Sequence, residues 1–136
     1  MSAEKLYTGS CLCGGIRYEI HGEIGDIIEC HCRRCRKANG SAFAANAPIQ
    51  KADFKIVQGE QLLKKYQSSE TTQRCFCGEC ASPIISIKAE TPDTYRLRIG
   101  TLDTPLEQKP TMHTFTAYKA EWDTICDGLP QYDERP

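Results

Sequence analysis

Nine cysteines in a chain of 136 residues fall into tight groups, and this grouping limits the possible folds more than any other feature. Cys11 and Cys13 form a C-x-C. Cys30, Cys32 and Cys35 form a C-x-C-x-x-C, with His31 between the first two. Cys77 and Cys80 form a C-x-x-C with Cys75 just upstream, and Cys126 stands apart. The opening residues, MSAEKLYTGS, hold no apolar signal segment, so secretion is not expected and a cytoplasmic location is. Clustered cysteines in such a chain bind metal or do redox chemistry more often than they form disulfides. An odd count would also leave one thiol without a partner. Metal binding is therefore the favoured reading.

The spacings suggest how the thiols divide. A C-x-x-C wraps a tight turn so that both sulfurs face one ion, and two such pairs close a tetrahedron. In a C-x-C the two side chains lie on one side of an extended strand and can grip an ion together. Gly14 and Gly15 follow Cys13 and let the backbone bend away from a metal. Pairing Cys11 and Cys13 with Cys77 and Cys80 gives a closed four-thiolate site and leaves Cys30, Cys32 and Cys35 as a three-thiolate set. Three protein ligands with an open fourth position is how catalytic zinc is commonly held. A ribbon-like alternative pairs Cys32 and Cys35 with Cys77 and Cys80, leaving Cys11, Cys13 and Cys30. A single shared site with idle cysteines is a third division. Spacing favours the first, because each cluster stays intact. Cys75 and Cys126 are expected to be small buried hydrophobes. His31 should point away from the ion gripped by its neighbours if the backbone there is extended.

Between the cysteines the chain alternates. GIRYEI sets Ile16, Tyr18 and Ile20 on one face and Arg17 and Glu19 on the other, and DFKIV, PIISIKA and TYRLRIG repeat that period of two. Gly22, Gly25, Gly59, Pro92, Asp93 and Gly100 punctuate the segments. A short helix is expected over residues 33–39, ended by Gly40. The expected fold is mainly β, with several antiparallel strands and loops tied by metal. Residues 1–136 read as one zinc-binding domain with its core at about 7–122; a polar leader to Lys5 and a polar tail from Gly128 are expected to be mobile. The net charge is -1, so neither nucleic acid nor an anionic membrane is an expected partner. No apolar run reaches the ~20 residues of a membrane helix.

The blocks GSCLCGGIRYEI, CHCRRCRKANGSAF, FCGEC and HTFTAYKAEW occur in the order found in the glutathione-dependent formaldehyde-activating enzymes, which include S-(hydroxymethyl)glutathione synthase and the centromere protein V proteins. The chain resembles that family from Tyr7 to Trp122. The resemblance implies layered antiparallel β-ribbons similar to the Mss4-like zinc fold. It implies a structural zinc on Cys11, Cys13, Cys77 and Cys80 and a catalytic zinc on Cys30, Cys32 and Cys35, hence about two zinc ions per chain. The implied activity is that of a carbon–sulfur lyase or synthase joining glutathione, or a similar thiol, reversibly to formaldehyde or another small aldehyde. Two positions depart from the family pattern. Ala81 stands where a glycine usually follows the last cysteine, so it must tolerate φ > 0 or the turn must differ. Thr114 stands where isoleucine commonly follows the late histidine.

Zinc with three thiolates is a weak Lewis acid whose natural fourth partner is another sulfur. A free thiol has a pKa of about 8.5, and metal coordination deprotonates it. Arg33, Arg34 and Arg36, with Lys37, surround the open cluster and are candidates to meet the carboxylates of glutathione; a solvated helix face is the plainer reading of them. His113 is a candidate hydrogen-bond donor or proton relay, or else a buried structural histidine. Trp122 either walls the cleft or belongs to the core. A noncatalytic zinc-stabilised binding module of the Mss4-like type is the alternative function. A methionine-sulfoxide reductase fits less well, because Cys126 lacks that family's surrounding motif.

Overall fold

The computed structural model describes residues 5–136; residues 1–4 of the leader lie outside the described part. Ten strands and one α-helix follow in chain order: β1 Leu6–Ser10, β2 Arg17–His21, β3 Ile28–Cys30, α1 Arg33–Asn39, β4 Ala44–Gln50, β5 Phe54–Gln58, β6 Leu63–Gln67, β7 Thr72–Cys77, β8 Pro83–Lys88, β9 Thr94–Arg98 and β10 Met112–Thr114. They form two sheets. One has the order β1-β2-β5 and the other β10-β3-β4-β9-β8-β7-β6. The fold is mainly β, as expected. Every pairing between these ten strands is antiparallel except β10 on β3, which is parallel, with His113 opposite Glu29 and Thr114 opposite Cys30.

The two sheets pack through the residues that alternation selects. Tyr18 and Ile20 of β2 face Ile49 of β4, Ile85 of β8 and Leu97 of β9 in one core, in which Tyr18, Ile20 and Leu97 are fully buried. Phe54 bridges the layers, its ring 5.3 Å from Tyr18 and 5.9 Å from Tyr95. Burying a side chain of this size contributes about 1.5–3 kcal/mol. Because strand side chains alternate, turning Tyr95 and Leu97 to the core turns Arg96 and Arg98 to the other face of the large sheet. Cross-strand pairing sets Asn46 beside Arg98 and carries on through Arg96 to Ser86 and Arg74. That second face is the floor of the cavity described below.

Two parts of the sequence reading need correction. The tail is not free: the His113 and Phe115 N–H groups donate to the carbonyls of Pro130 and Glu134, and the Tyr132 N–H donates to His113 O. The segment therefore docks as an extra ribbon beside β10, held by backbone groups that composition does not reveal. Trp122 and Cys126 are not core residues. Trp122 is 69% exposed and Cys126 is exposed as well. Cys75, in contrast, is fully buried. No helix among the described residues is long and apolar enough to cross a membrane.

Candidate functional site

Cys11 follows β1, and Cys77 ends β7. The Cys11–Gly15 turn and the Cys77–Ala81 turn face one another. Gly14 takes φ +75, the left-handed bend that glycine adopts at no steric cost. Gly59 takes φ +79, and a Cβ on it would lie 2.0 Å from Gly15 O, so only glycine lets the β5–β6 turn pack beneath the C-x-C loop. The sulfurs of Cys11, Cys13, Cys77 and Cys80 all lie within 4.8 Å of one another. Cys11 Sγ is 3.5 Å from Cys13 Sγ, and Cys13 Sγ is 3.9 Å from Cys77 Sγ. Four sulfurs at ~2.3 Å from one zinc would stand about 3.8 Å apart, so the donor set fits a closed zinc site. The Ile16 N–H donates to Cys11 Sγ and the Glu79 N–H to Cys77 Sγ, contacts that favour thiolates. Ser82, by its hydroxyl and its N–H, holds the Cys80 thiol down at about 5. Ala81 adopts φ 67. The position usually filled by glycine thus keeps its left-handed turn here, with a side chain present.

Cys30 ends β3, and Cys32 caps α1 with extended backbone, φ -64 and ψ 155, its sulfur accepting the Cys35 N–H. Cys35 then falls in the first helical turn. Gly40 ends the helix at φ 63, its N–H bonded to Arg36 O, so the predicted limits of 33–39 match. The sulfurs of Cys30, Cys32 and Cys35 also lie within 4.8 Å of one another. Among the described residues, no fourth cysteine, histidine or carboxylate joins that set. Three soft donors on one side of a space fit zinc with an open corner. The Cys30 and Cys32 thiols, and then the Arg74 guanidinium, drive the Cys35 thiol far down. Arg74 Nη2 lies 3.8 Å from Cys35 Sγ. The same crowding pushes the Cys30 thiol up.

These three sulfurs stand on the wall of a cavity of about 800 Å³. Arg33 and Arg34 of α1 also line it. Arg36 does not, which corrects its assignment as a substrate contact: its guanidinium donates to Tyr118 O at 2.9 Å. Trp122 borders a separate shallow depression beside Arg36 and Lys37, so it neither walls the main cavity nor fills the core.

Of the two readings of His113, a hydrogen-bond donor or proton relay at the site and a buried structural histidine, its surroundings match the second. Alternation on β3 sends Cys30 and Cys32 to one side and Glu29 and His31 to the other. His113, opposite Glu29, lies with that second group. His113 Nε2 donates to both Asp127 oxygens, at 2.8 and 3.1 Å. Its Nδ1 is 2.9 Å from His31 Nε2 and 3.2 Å from Glu29 Oε2. Both histidines are buried, and neither lines the cavity, whereas their strand neighbours Met112 and Thr114 do. Any effect of His113 on chemistry must pass through β3. Burial, then His113, pulls His31 down, and the Leu129 N–H, then His113, holds Asp127 down. The network links β3, β10 and the docked tail.

Among the cavity residues that escaped the sequence reading are Arg74 of β7 and Arg96 and Arg98 of β9. The alternation of TYRLRIG placed both β9 arginines on the polar face of a strand, but nothing in the sequence separates a polar face that lines a cavity from one that meets solvent.

Comparison with known proteins agrees with this geometry. The family described as glutathione-dependent formaldehyde-activating enzyme matches residues 6–118, a span that takes in every cysteine of both sulfur sets. The chain belongs to this family. Among its relatives is a protein of Schizosaccharomyces pombe described as an uncharacterized lyase, 33% identical over 78 residues. That match spans 57% of this chain and 55% of the yeast protein. A crystal structure of a Rhodobacter sphaeroides protein shares the fold with a TM-score of 0.62 at 25% identity, covering 74% of this chain and 91% of that one. The donor chemistry of both sulfur sets is consistent with metal binding in this formaldehyde-activating family.

Proposed function

We propose that this protein is a zinc-dependent carbon–sulfur lyase or synthase that joins a small thiol, glutathione in the family description, to formaldehyde or a similarly small aldehyde. The observation that carries this reading is the three-sulfur set on the wall of a cavity, with no fourth side chain among the described residues completing it. Zinc at Cys30, Cys32 and Cys35 would supply a corner at which a guest thiol is held as its thiolate. The chain's residues do the rest. Arg74 donates toward Cys35 Sγ and offsets the negative charge that three thiolates bring. Arg33 and Arg34 on the helix, with Arg96 and Arg98 on the floor, meet carboxylates of the guest and fix its sulfur beside the aldehyde. The thiolate sulfur then bonds to the carbonyl carbon. The C=O π pair moves to oxygen, which takes a proton, and the product is a hydroxymethyl thioether. The reverse sequence releases aldehyde and thiol. On this reading the closed set of Cys11, Cys13, Cys77 and Cys80 is structural.

The test is exchange NMR of glutathione with formaldehyde, with and without zinc-replete protein. Exchange should be faster with protein, and Cys32→Ser should remove the acceleration while keeping the thermal transition. Equal exchange rates with and without the zinc-loaded protein would dismiss the enzymatic reading and leave a binding module.

A further inference from the structure

The cavity floor carries more positive charge than the sulfur site explains. Arg74, Lys88, Arg96 and Arg98 project from three adjacent strands, and Arg135 enters from the docked tail. Arg33 and Arg34 add the helix side. Glu90 is the acidic side chain among the lining residues. The ion pairs among the described residues involve Lys5, His21 and His113, and none includes a cation of the cavity. Arg98 is 5% exposed. Its Nη1 reaches Ser86 Oγ at 3.3 Å and Arg96 O at 3.4 Å, while its Nε is buried without any hydrogen-bond partner. Arg96 Nη1 and Arg74 Nη1 are orphaned in the same way.

A buried guanidinium without an anion is costly, because desolvation is not offset by pairing. Burial pulls Arg98 down to about 10, against the upward pull of the Cys35 and Cys30 sulfurs. A zinc held by three thiolates carries a charge of only -1, and a guest thiolate brings it to -2. Arg74 already serves the cluster at Cys35. The remaining cations, with the two orphaned donors of Arg96 and Arg98 on the floor, call for a ligand that brings several anionic oxygens of its own. Glutathione is a poor match in sign: beside its two carboxylates it carries an ammonium, for which Glu90 is the acidic side chain among the described residues of the wall.

We propose that the cavity selects a thiol with at least two net negative charges apart from its sulfur, supplied by a phosphate or by clustered carboxylates, and that Arg98 and Arg96 are the residues that read this charge. The proposal rests on the reading of the cavity as the thiol site and narrows its substrate class. Guanidinium forks bind phosphate and carboxylate oxygens in pairs, and Ser68, Ser69 and Thr72 supply hydroxyls at the cavity edge.

The test measures dissociation constants for S-methylated compounds, which cannot bind a metal as thiolates, on the zinc-loaded protein by isothermal titration. S-methylglutathione is compared with its glutaryl analogue, identical except for the missing ammonium. S-methyl phosphopantetheine and S-methyl mercaptosuccinate form the phosphate and dicarboxylate arms. The glutaryl analogue should bind at least about tenfold more tightly than S-methylglutathione. One of the two arms should also exceed S-methylglutathione, and whichever does identifies the anionic group. Arg96→Gln and Arg98→Met should bring the glutaryl preference close to unity without changing metal content. Arg98 is buried and its variant could misfold; Arg96 is only half-buried, so Arg96→Gln keeps the test decisive. Equal binding of the glutaryl pair, or an undiminished preference in Arg96→Gln, would overturn the proposal. If the pair binds equally while glutathione–formaldehyde exchange is still accelerated, the charge selection fails and the enzymatic reading stands. The opposite pattern removes the enzymatic reading and keeps the charge selection.

Discussion

Two cysteines on β7 offer a controlled comparison. Cys75 and Cys77 are two residues apart and both are fully buried. They differ in what the sulfur faces. Cys77 Sγ is 3.9 Å from Cys13 Sγ within the four-sulfur set, whereas Cys75 belongs to neither set and its thiol is pushed up by burial. Replacing either by alanine removes one buried sulfur and leaves a small void. That loss is about 1 kcal/mol, or about 4 °C in Tm for a chain of this length. For Cys75→Ala the effect should end there, with metal content unchanged. Cys77→Ala should also break the closed metal site proposed for the four sulfurs. Structural zinc contributes about 10 kcal/mol or more to folding, comparable with the whole ~5–15 kcal/mol stability of a typical domain, so that variant should lose its cooperative transition and its bound zinc. Thermal denaturation by circular dichroism, with elemental analysis of the same samples, reads both quantities. Similar destabilisation by the two substitutions, each with full zinc, would refute the assignment of the closed site.

Two further outcomes follow from local geometry. Ala81 sits at φ 67, a left-handed conformation that costs an L residue about 1–2 kcal/mol; Ala81→Gly should therefore stabilise by about 0.5–1 kcal/mol once the added chain entropy is subtracted, and a fall in Tm would show that the strain is absent. Burial lifts the Tyr18 phenol to about 12, partly opposed by its hydrogen bond to Thr101. Its folded value lies above the ~10 of free tyrosine, so its contribution to stability is complete below about pH 10 and is lost as pH rises toward 12. Burial also raises Tyr95, and the hydrogen bond to Glu134 raises Tyr118, so ultraviolet titration should show Tyr18 as the last of the six tyrosines to ionise, and Tyr18→Phe should remove that last phase; an unchanged last phase would contradict the assignment.

The cysteine grouping was legible because metal-ligand spacing is a local property: a C-x-C on a strand and a C-x-x-C in a turn bring their sulfurs together whatever surrounds them. Helix α1 was legible for a similar reason, since it follows the cysteine cluster and Gly40 ends it. The central strands β2, β5, β8 and β9 showed through their alternation. What the sequence hid depends on long-range placement. Arg74, Arg96 and Arg98 have the pattern of an outward face, and only the helix and the docked tail turn that face into a cavity. The tail is held by backbone hydrogen bonds to β10, which leave no trace in side-chain type. His113 was drawn to the active site by its chemistry, but the parallel pairing of β10 with β3 puts it opposite Glu29, on the far side of the strand from Cys30 and Cys32. Trp122 was expected to wall the cleft or to belong to the core, yet the last turns of the chain leave it on the surface.

The central claim is that the sulfurs of Cys30, Cys32 and Cys35 leave one corner of a zinc ion open to a guest thiolate. X-ray absorption at the zinc edge, on protein saturated with a selenol analogue of glutathione, tests it directly, because selenium is distinct from every protein sulfur. The account predicts a zinc–selenium shell at about one of two bound ions, lost in Cys32→Ser. A zinc environment of protein sulfur alone, with both sites loaded and the selenol in saturating excess, would contradict it.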